Sequence, residues 1–499
     1  MCTIKKNTLP TKIAFSRLRI TCLLFSMALL VTLGGCKKFL ELPLKDKVPQ
    51  EVLFTDEQGF IDALTGVYLG MDKPANFASM KGLYTQNLSF GMLSVMANNY
   101  TNASSSALSD GLYSNFSRYD YQQTGVKQEI EFIWGGMYNN IANLNNVLSH
   151  IDAKKDVFSR DHYYRVKGEA LALRALFHFD LARLFGQSPV TGLNAKSIPY
   201  VTTFTAKSTV FLSLKDALDS CVADLNNAKA ILAQADTTAL NQANTDLLAG
   251  FTQNRMNYWA TKACLARIYL YKGDYNNAMA SAKEVIGSNK FPLSTSNVAV
   301  ATATTRDRLF SKELVFAVYN TNVNLMNEGL FNLNIGTPLQ LPVTDKNAIY
   351  GNTAPLDWRL SWFDNNTKAV NVPSKFFQNT GLPYAMQNIV PVIRISELYY
   401  IVAECANAQN DLASGLSYLN KVRSARGLNS LTASNVPDGT TLSAELTKEY
   451  KKEFIQEGQT YFYYKRLNKD LKLETGTTVT VPANVYVFPV PDKEVENNR

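Results

Sequence analysis

Apolar residues recur at helical spacing in blocks along most of the chain. Ile130, Ile133, Met137, Ile141, Leu144 and Leu148 line one face of a helix over about 127–149. Val166, Ala170, Leu173, Phe177, Leu181 and Leu184 line another, which stops at Gly186 ahead of Pro189. Two such neighbours read as one helical hairpin. A further pair begins near Arg394, where Ile395, Leu398, Tyr399, Val402, Ala403 and Ala406 keep the i, i+3, i+4, i+7 rule; Asn410-Asp411 turns the chain into Leu412, Leu416 and Leu419, and Gly427 closes it. Leu442, Leu446, Tyr450 and Phe454 stripe one more helix. On it Glu449, Glu453 and Glu457 recur every fourth residue among Lys448, Lys451 and Lys452, a pattern that predicts a solvated or partner-facing charged stripe.

Between these pairs, NYWATKACLARIYLYKGDYNNAMASAKEVI (257–286) is similar to a tetratricopeptide unit. Leu265, Ala266 and Tyr269 lie on its first helix, Gly273-Asp274 makes the turn, and Tyr275, Ala278 and Ala282 lie on its second. The repeats are not tandem, because residues 290–392, rich in Pro, Asn and Thr with short β-like runs such as ELVFAVY at 313–319, intervene. A second irregular stretch, 97–125, is rich in Ser and Asn and carries Tyr100, Tyr113, Phe116, Tyr119 and Tyr121. Long irregular segments on a helical scaffold are where binding commonly resides. The expected architecture is mostly α. Helical pairs of tetratricopeptide type fall near 127–186, 212–287 and 394–468, with loop-rich, short-β insertions near 97–125 and 290–392, in a single domain over 36–499.

The amino terminus changes the meaning of the charge. The chain has 50 Lys+Arg against 42 Asp+Glu, a net charge of +8, which invites a nucleic-acid reading. Residues 1–35, however, hold Lys5, Lys6, Lys12, Arg17 and Arg19 and no acid, followed by the apolar run Ile20 to Leu33. Fourteen apolar-leaning residues are too short to span a bilayer, which takes about 20, so the segment reads as a secretory signal. Without its five basic residues the body carries a net charge of about +3, and the nucleic-acid reading lapses. Leu33-Gly34-Gly35-Cys36 resembles the lipobox of bacterial lipoproteins, which implies cleavage before Cys36, its lipidation, and stable anchoring by two or more acyl chains. Among the remaining cysteines, Cys221, Cys264 and Cys405 show no CxxC spacing, which disfavours a disulfide framework or a thiolate zinc site. No metal or cofactor is expected.

Enzyme signals are thin. His150, His162 and His178 have no HExxH spacing, and His178 on an amphipathic helix reads as structural. The chain has no phosphate loop of the GxxxxGK[ST] form, no GxSxG elbow and no EF-hand pattern. The Glu449, Glu453, Glu457 series alone could suggest a glycosidase carboxylate pair.

Taken in order, the motifs resemble the SusD/RagB family. CKKFLELPLKD is similar to the family's start, FIWGGMYNNIANLNNVL to its Trp-x-x-x-Tyr helix, and GEALALRALFHFDLARLFGQSP to its Leu-Arg-Ala…Phe-Gly-x-x-Pro segment. IRISELYYIVAECAN with LNKVRSARG, EFIQEGQTYFYYKRL and FPVPDKEVENN match its later blocks, although Glu449-Tyr450 stands where the family usually has Glu-Arg. The resemblance implies a non-enzymatic, lipid-anchored outer-membrane protein facing the cell exterior. Such a protein passes an oligosaccharide, or in some relatives a peptide, to a SusC-like TonB-dependent transporter. A surface glycan hydrolase and a peptide-binding scaffold are the alternatives. By region, the resemblance points to Asn98, Asn99, Tyr100, Tyr113 and Tyr119 from the first insertion and Trp358 and Trp362 from the second as ligand-binding residues. Asp357 and Arg359 resemble a structural Asp-x-Arg, and Trp134 and Trp259 are expected in the core.

Overall fold

Helix-forming stretches meet their stop signals as the pattern predicts, and the result in this computed structural model is a succession of antiparallel helices. The structure describes residues 50–72, 82–100, 111–205, 207–235, 246, 248–294, 306–332, 338–351, 357–364, 370–377, 383, 386–472, 478–479 and 485–497. The signal segment and Cys36 lie outside the described residues. So do residues 101–110 of the first insertion and several parts of the second.

The long helices are α1 (Glu57–Asp72), α2 (Thr124–Ile151), α3 (His162–Phe185), α4 (Leu214–Leu232), α5 (Tyr258–Lys272) and α6 (Tyr275–Gly287). Beyond the second insertion come α7 (Ile395–Ala408), α8 (Leu412–Ala425), α9 (Gly439–Glu453) and α10 (Gln459–Arg466). Local chemistry sets their ends. At α5 the Asn257 side chain accepts from the amides of Trp259 and Ala260 at 2.9 and 3.0 Å, and Gly273, at φ +82°, turns the chain left-handed. Asp274 then caps α6 by accepting from the Asn277 amide, and Asp411 caps α8 through the Ser414 amide in the same way.

Each helix packs on its successor from α1 to α6, and α6 packs directly on α7 although the second insertion separates them in sequence. The insertion is therefore looped out of a continuous helical stack. Strands β1 (Lys196–Pro199) and β2 (Phe211–Ser213) form a hairpin between α3 and α4. At the base of the insertion β3 (Leu314–Tyr319) pairs antiparallel with β7 (Ile389–Arg394), Leu314 opposite Arg394 and Tyr319 opposite Ile389. Within it β4 (Leu341–Pro342) and β5 (Phe363–Asp364) flank β6 (Val370–Pro373). Among the described residues no helix is long and apolar enough to cross a membrane.

Trp134 is buried as expected, its ring edge-on to Phe185 at 4.7 Å. Trp259 is not fully in the core. It sits at the first turn of α5, beside the cap, with Tyr258 at 5.1 Å and the Lys262 and Lys290 ammonium groups 5.6 and 5.8 Å from its ring.

Candidate functional site

The two insertions converge, but mostly through their buried side chains. The segment 83–96 starts as a wide π-type turn, Leu83–Phe90, then breaks at Gly91, where a Cβ would lie 2.4 Å from the Gln86 carbonyl oxygen and 2.8 Å from the Tyr113 hydroxyl. Tyr100 is buried and donates from its hydroxyl to the Phe90 carbonyl at 3.0 Å; Tyr113 is buried and accepts from the Gln86 amide at 2.6 Å. Both phenols are pushed up by burial, so they act as neutral hydroxyls. Asn99 is buried too. Asn98 and Tyr119 differ. Each holds a left-handed backbone, at φ 54° and 57°, and each reaches solvent in part, while Tyr119 donates its hydroxyl to the Met96 carbonyl.

In the second insertion a short 3-10 turn, Trp358–Trp362, sorts its side chains. Residues three apart eclipse in such a turn, so Arg359 and Trp362 point inward together and Trp358 does not. Trp362 is fully buried: its indole nitrogen donates to the Arg308 carbonyl at 2.7 Å, Phe310 lies 5.1 Å away, and the Lys375 ammonium sits 3.8 Å over its ring. Tyr100, Tyr113 and Trp362 belong to one apolar cluster with Phe331, Phe363 and Phe376. None of these three rings offers a face to solvent. Trp358 keeps partial exposure and lies against Gly427.

What fastens the second insertion is a buried set of charges. Glu449, Glu453 and Glu457 do not form the solvated stripe that their spacing predicts; all three are buried. Arg359 bonds Asp357 at 2.7 and 2.8 Å, Glu449 at 2.7 Å and Glu453 at 3.0 Å. Arg394 bonds Glu453 at 2.6 Å and Glu457 at 3.0 Å, and Arg426 bonds Glu453 at 2.5 Å and Glu313 at 2.8 Å. Lys375 completes the set on Glu457. Burial alone would raise the Glu453 carboxyl, but Arg426 and Arg394 outweigh it and hold the group well below the carboxylate range. Burial pushes the Lys375 ammonium down to about 7, against the pull of Glu457. Asp357 and Arg359 are thus structural, as their motif implied. The stripe misled because its countercharges come from distant sequence.

The histidines also have structural partners. His178 is fully buried: its Nδ1 meets the Arg174 carbonyl at 2.9 Å, its Nε2 accepts from the Val201 amide at 2.9 Å, and its ring stacks on Tyr200 at 3.9 Å. His162 lies between the Glu57 and Asp246 carboxylates. Among the described residues no group of three or more His, Cys, Asp or Glu side chains converges as a metal site would require.

Two family models match the chain. One, described as "Starch-binding associating with outer membrane", covers residues 38–270, and the other, described as "SusD family", covers 364–499. The chain belongs to the SusD/RagB family. Solved structures agree on the fold of this SusD/RagB protein. A SusD superfamily protein from Bacteroides thetaiotaomicron is similar with a TM-score of 0.68 at 20% identity, over 88% of this chain and 98% of its own. A SusD-like carbohydrate binding protein from Bacteroides vulgatus gives 0.68 at 16% identity, over 89% and 96%. A SusD superfamily protein from Bacteroides fragilis gives 0.65 at 18%, over 89% and 98%. No curated protein matches the chain. The stretch between the two matched regions takes in α6 and most of the second insertion.

Proposed function

We propose that this SusD/RagB protein is an outer-membrane lipoprotein, anchored through Cys36, that binds an oligosaccharide and delivers it to a SusC-like TonB-dependent transporter. The observation that carries the reading is that each insertion keeps one partly exposed aromatic side chain, Tyr119 on the first and Trp358 on the second, and that Asn98 on the first is partly exposed too. Aromatic faces stack on the apolar C–H patches of sugar rings, and amide side chains bond hydroxyls. The insertions are tied down by a shared buried apolar cluster and by buried ion pairs, which favours a ligand surface organised before binding. Tyr100, Tyr113 and Trp362 would hold the two insertions together through the buried cluster they share, with Asn99 buried next to Tyr100, and the family's description and its carbohydrate-binding structural relative favour a glycan over a peptide.

The test is affinity electrophoresis and calorimetry of protein lacking residues 1–35 against a panel of oligosaccharides and peptides. At least one glycan should bind without being cleaved, and Tyr119→Ala should weaken it several-fold in a variant that, though less stable for the lost bond to Met96, remains folded at the assay temperature. Release of shorter products on incubation, or protection by peptides alone, would overturn the reading.

A further inference from the structure

Two of the most exposed large apolar side chains share one loop. Among the described residues Val210 is 77% exposed, more than any other large apolar residue, and Phe204, at 50%, is the most exposed phenylalanine. Both lie in the connection 200–210 between β1 and β2, where Thr202, Thr203, Thr205, Lys207 and Ser208 are exposed as well. Acidic residues are missing from this part of the chain: none occurs between Asp180 and Asp216, while Arg183, Lys196, Lys207 and Lys215 do. Single exposed apolar residues are ordinary on a surface. A loop that combines an exposed ring, an exposed valine, hydroxyls and a lysine, with no carboxylate, has the composition of a segment that lies at a lipid interface.

The fold imposes that exposure. The Tyr138 hydroxyl donates to the Pro199 carbonyl at 2.8 Å and the Asn145 side-chain amide to the Val201 carbonyl at 3.0 Å, so the chain leaves β1 along α2 toward its carboxyl-terminal end. On the other side the Val201 amide donates to His178 at 2.9 Å, while Tyr200 stacks on the same imidazole and bonds Asp224 at 2.6 Å. Phe204 follows directly on this pinned stretch. The same end of α2 receives the start of the body: Phe54 stacks on His150 at 4.7 Å, five residues, or about 7.5 Å of helix, beyond Asn145. Phe54 comes eighteen positions after Cys36, so the exposed loop and the point where the proposed anchor joins the body share the last two turns of α2. The turn that follows, Asp152–Val157, sets Lys154 and Lys155 against Asp152 and Asp156, and the basic excess there comes from the loop.

Resting on the lipoprotein reading above, we propose that the 200–210 loop is a second membrane contact, with Phe204 and Val210 seated in the lipid interface and Lys207 at anionic headgroups. Its occupant is the lipid surface that holds Cys36, and not a protein. A lipid attached at one point fixes where the protein is but not which side of it faces outward. A loop that touches the same surface sets the tilt of the helical stack. Two side chains bury too little area to hold the protein unaided, but the anchor makes the second contact intramolecular and so effective at low intrinsic affinity. The anchor does the holding and the loop the orienting.

The experiment uses the full chain, processed and purified from membranes with its lipid, then reconstituted into vesicles of phosphatidylcholine and phosphatidylglycerol. Ser208→Cys carries an environment-sensitive dye, and Ser417→Cys, exposed on α8, carries the control; Cys221, Cys264 and Cys405 are buried and leave the dye to the added thiol. Emission at 208 should shift to the blue and be quenched by lipids with a nitroxide on the acyl chain, and the control should show neither change. Phe204→Ser combined with Val210→Ser should abolish both changes at 208 while the protein stays folded and on the vesicles, since both side chains are exposed. A dye at 208 that reports water in vesicle-bound wild type would overturn the loop contact and leave the anchor standing, and so would a signal that the double variant does not alter. Protection at 208 by solubilised outer-membrane proteins, and not by lipid alone, would assign the loop to a protein partner and overturn the lipid contact. A chain that carries no lipid and leaves the vesicles would overturn anchor and loop together.

Discussion

The imidazole of His178 is held by one carbonyl and one amide, and that pattern fits only the neutral tautomer with its proton on Nδ1. Burial drives its pKa down to about 3, well under the ordinary value near 6.5. The unfolded chain therefore binds a proton at this site between those pH values and the folded chain does not. The stability that the buried ring contributes is complete above pH 6.5 and is lost as pH falls toward 3, at about 1.4 kcal/mol per pH unit from this group alone. His178→Asn should cost about 1–2 kcal/mol at pH 7.5 through its lost bonds. Urea unfolding at pH 7.5 and 5 should then show the gap between wild type and variant narrowing at the lower pH; a gap that widened would refute the account. The structural role of His178 was legible in its place on an amphipathic helix. Which tryptophan of PLDWRLSWFD faces outward was not, because a 3-10 turn rather than a strand or an α-helix decides it.

Helix α9 shows where reading by element fails. Its apolar stripe of Leu442, Leu446 and Tyr450 is buried as the period predicts. The carboxylates at the same period look like a surface, since nothing nearby in sequence reveals that Arg359 and Arg394 lie 94 and 59 residues away from Glu453. The two kinds of ion pair separate by experiment. Glu453→Gln leaves Arg394, Arg426 and Arg359 around a neutral amide, and should cost about 3–5 kcal/mol. Glu445→Gln removes only a pair with the exposed Lys448 and should cost less than about 1 kcal/mol. Thermal denaturation of the two variants side by side would reveal any such difference, and equal losses would count against the network. By contrast, the turns of the helical pairs were readable from single residues, Gly273, Asp274 and Asp411, because capping is local chemistry.

For the molecule as a whole, the sequence carried the helical stack, and with it the family, further than it carried the ligand surface. Periodicity repeats and sums over many residues, whereas a binding face depends on which few rings escape burial. Tyr100, Tyr113, Tyr119, Trp358 and Trp362 look alike in sequence, yet only Tyr119 and Trp358 reach solvent. The proposed lipid anchor belongs to this scale too. Cys36→Ser in the full chain should move the protein from the membrane fraction to the soluble fraction and abolish incorporation of labelled fatty acid; a variant that stays membrane-bound and labelled would place the lipid elsewhere.

The fastening of the second insertion works like a plug in a socket. Glu449, Glu453 and Glu457 stand ready on the shared helical stack, while Asp357, Arg359 and Lys375 arrive with the loop. The ends of that loop are held side by side by β3 and β7, so lengthening or rewriting the chain between them costs little in closure entropy. A replacement loop without guanidinium or ammonium groups leaves Glu449, Glu453 and Glu457 to Arg394, Arg423, Arg426 and Lys452 alone, fewer countercharges for the same three buried carboxylates. The loop can thus be rewritten wholesale, provided that the charged plug travels with it.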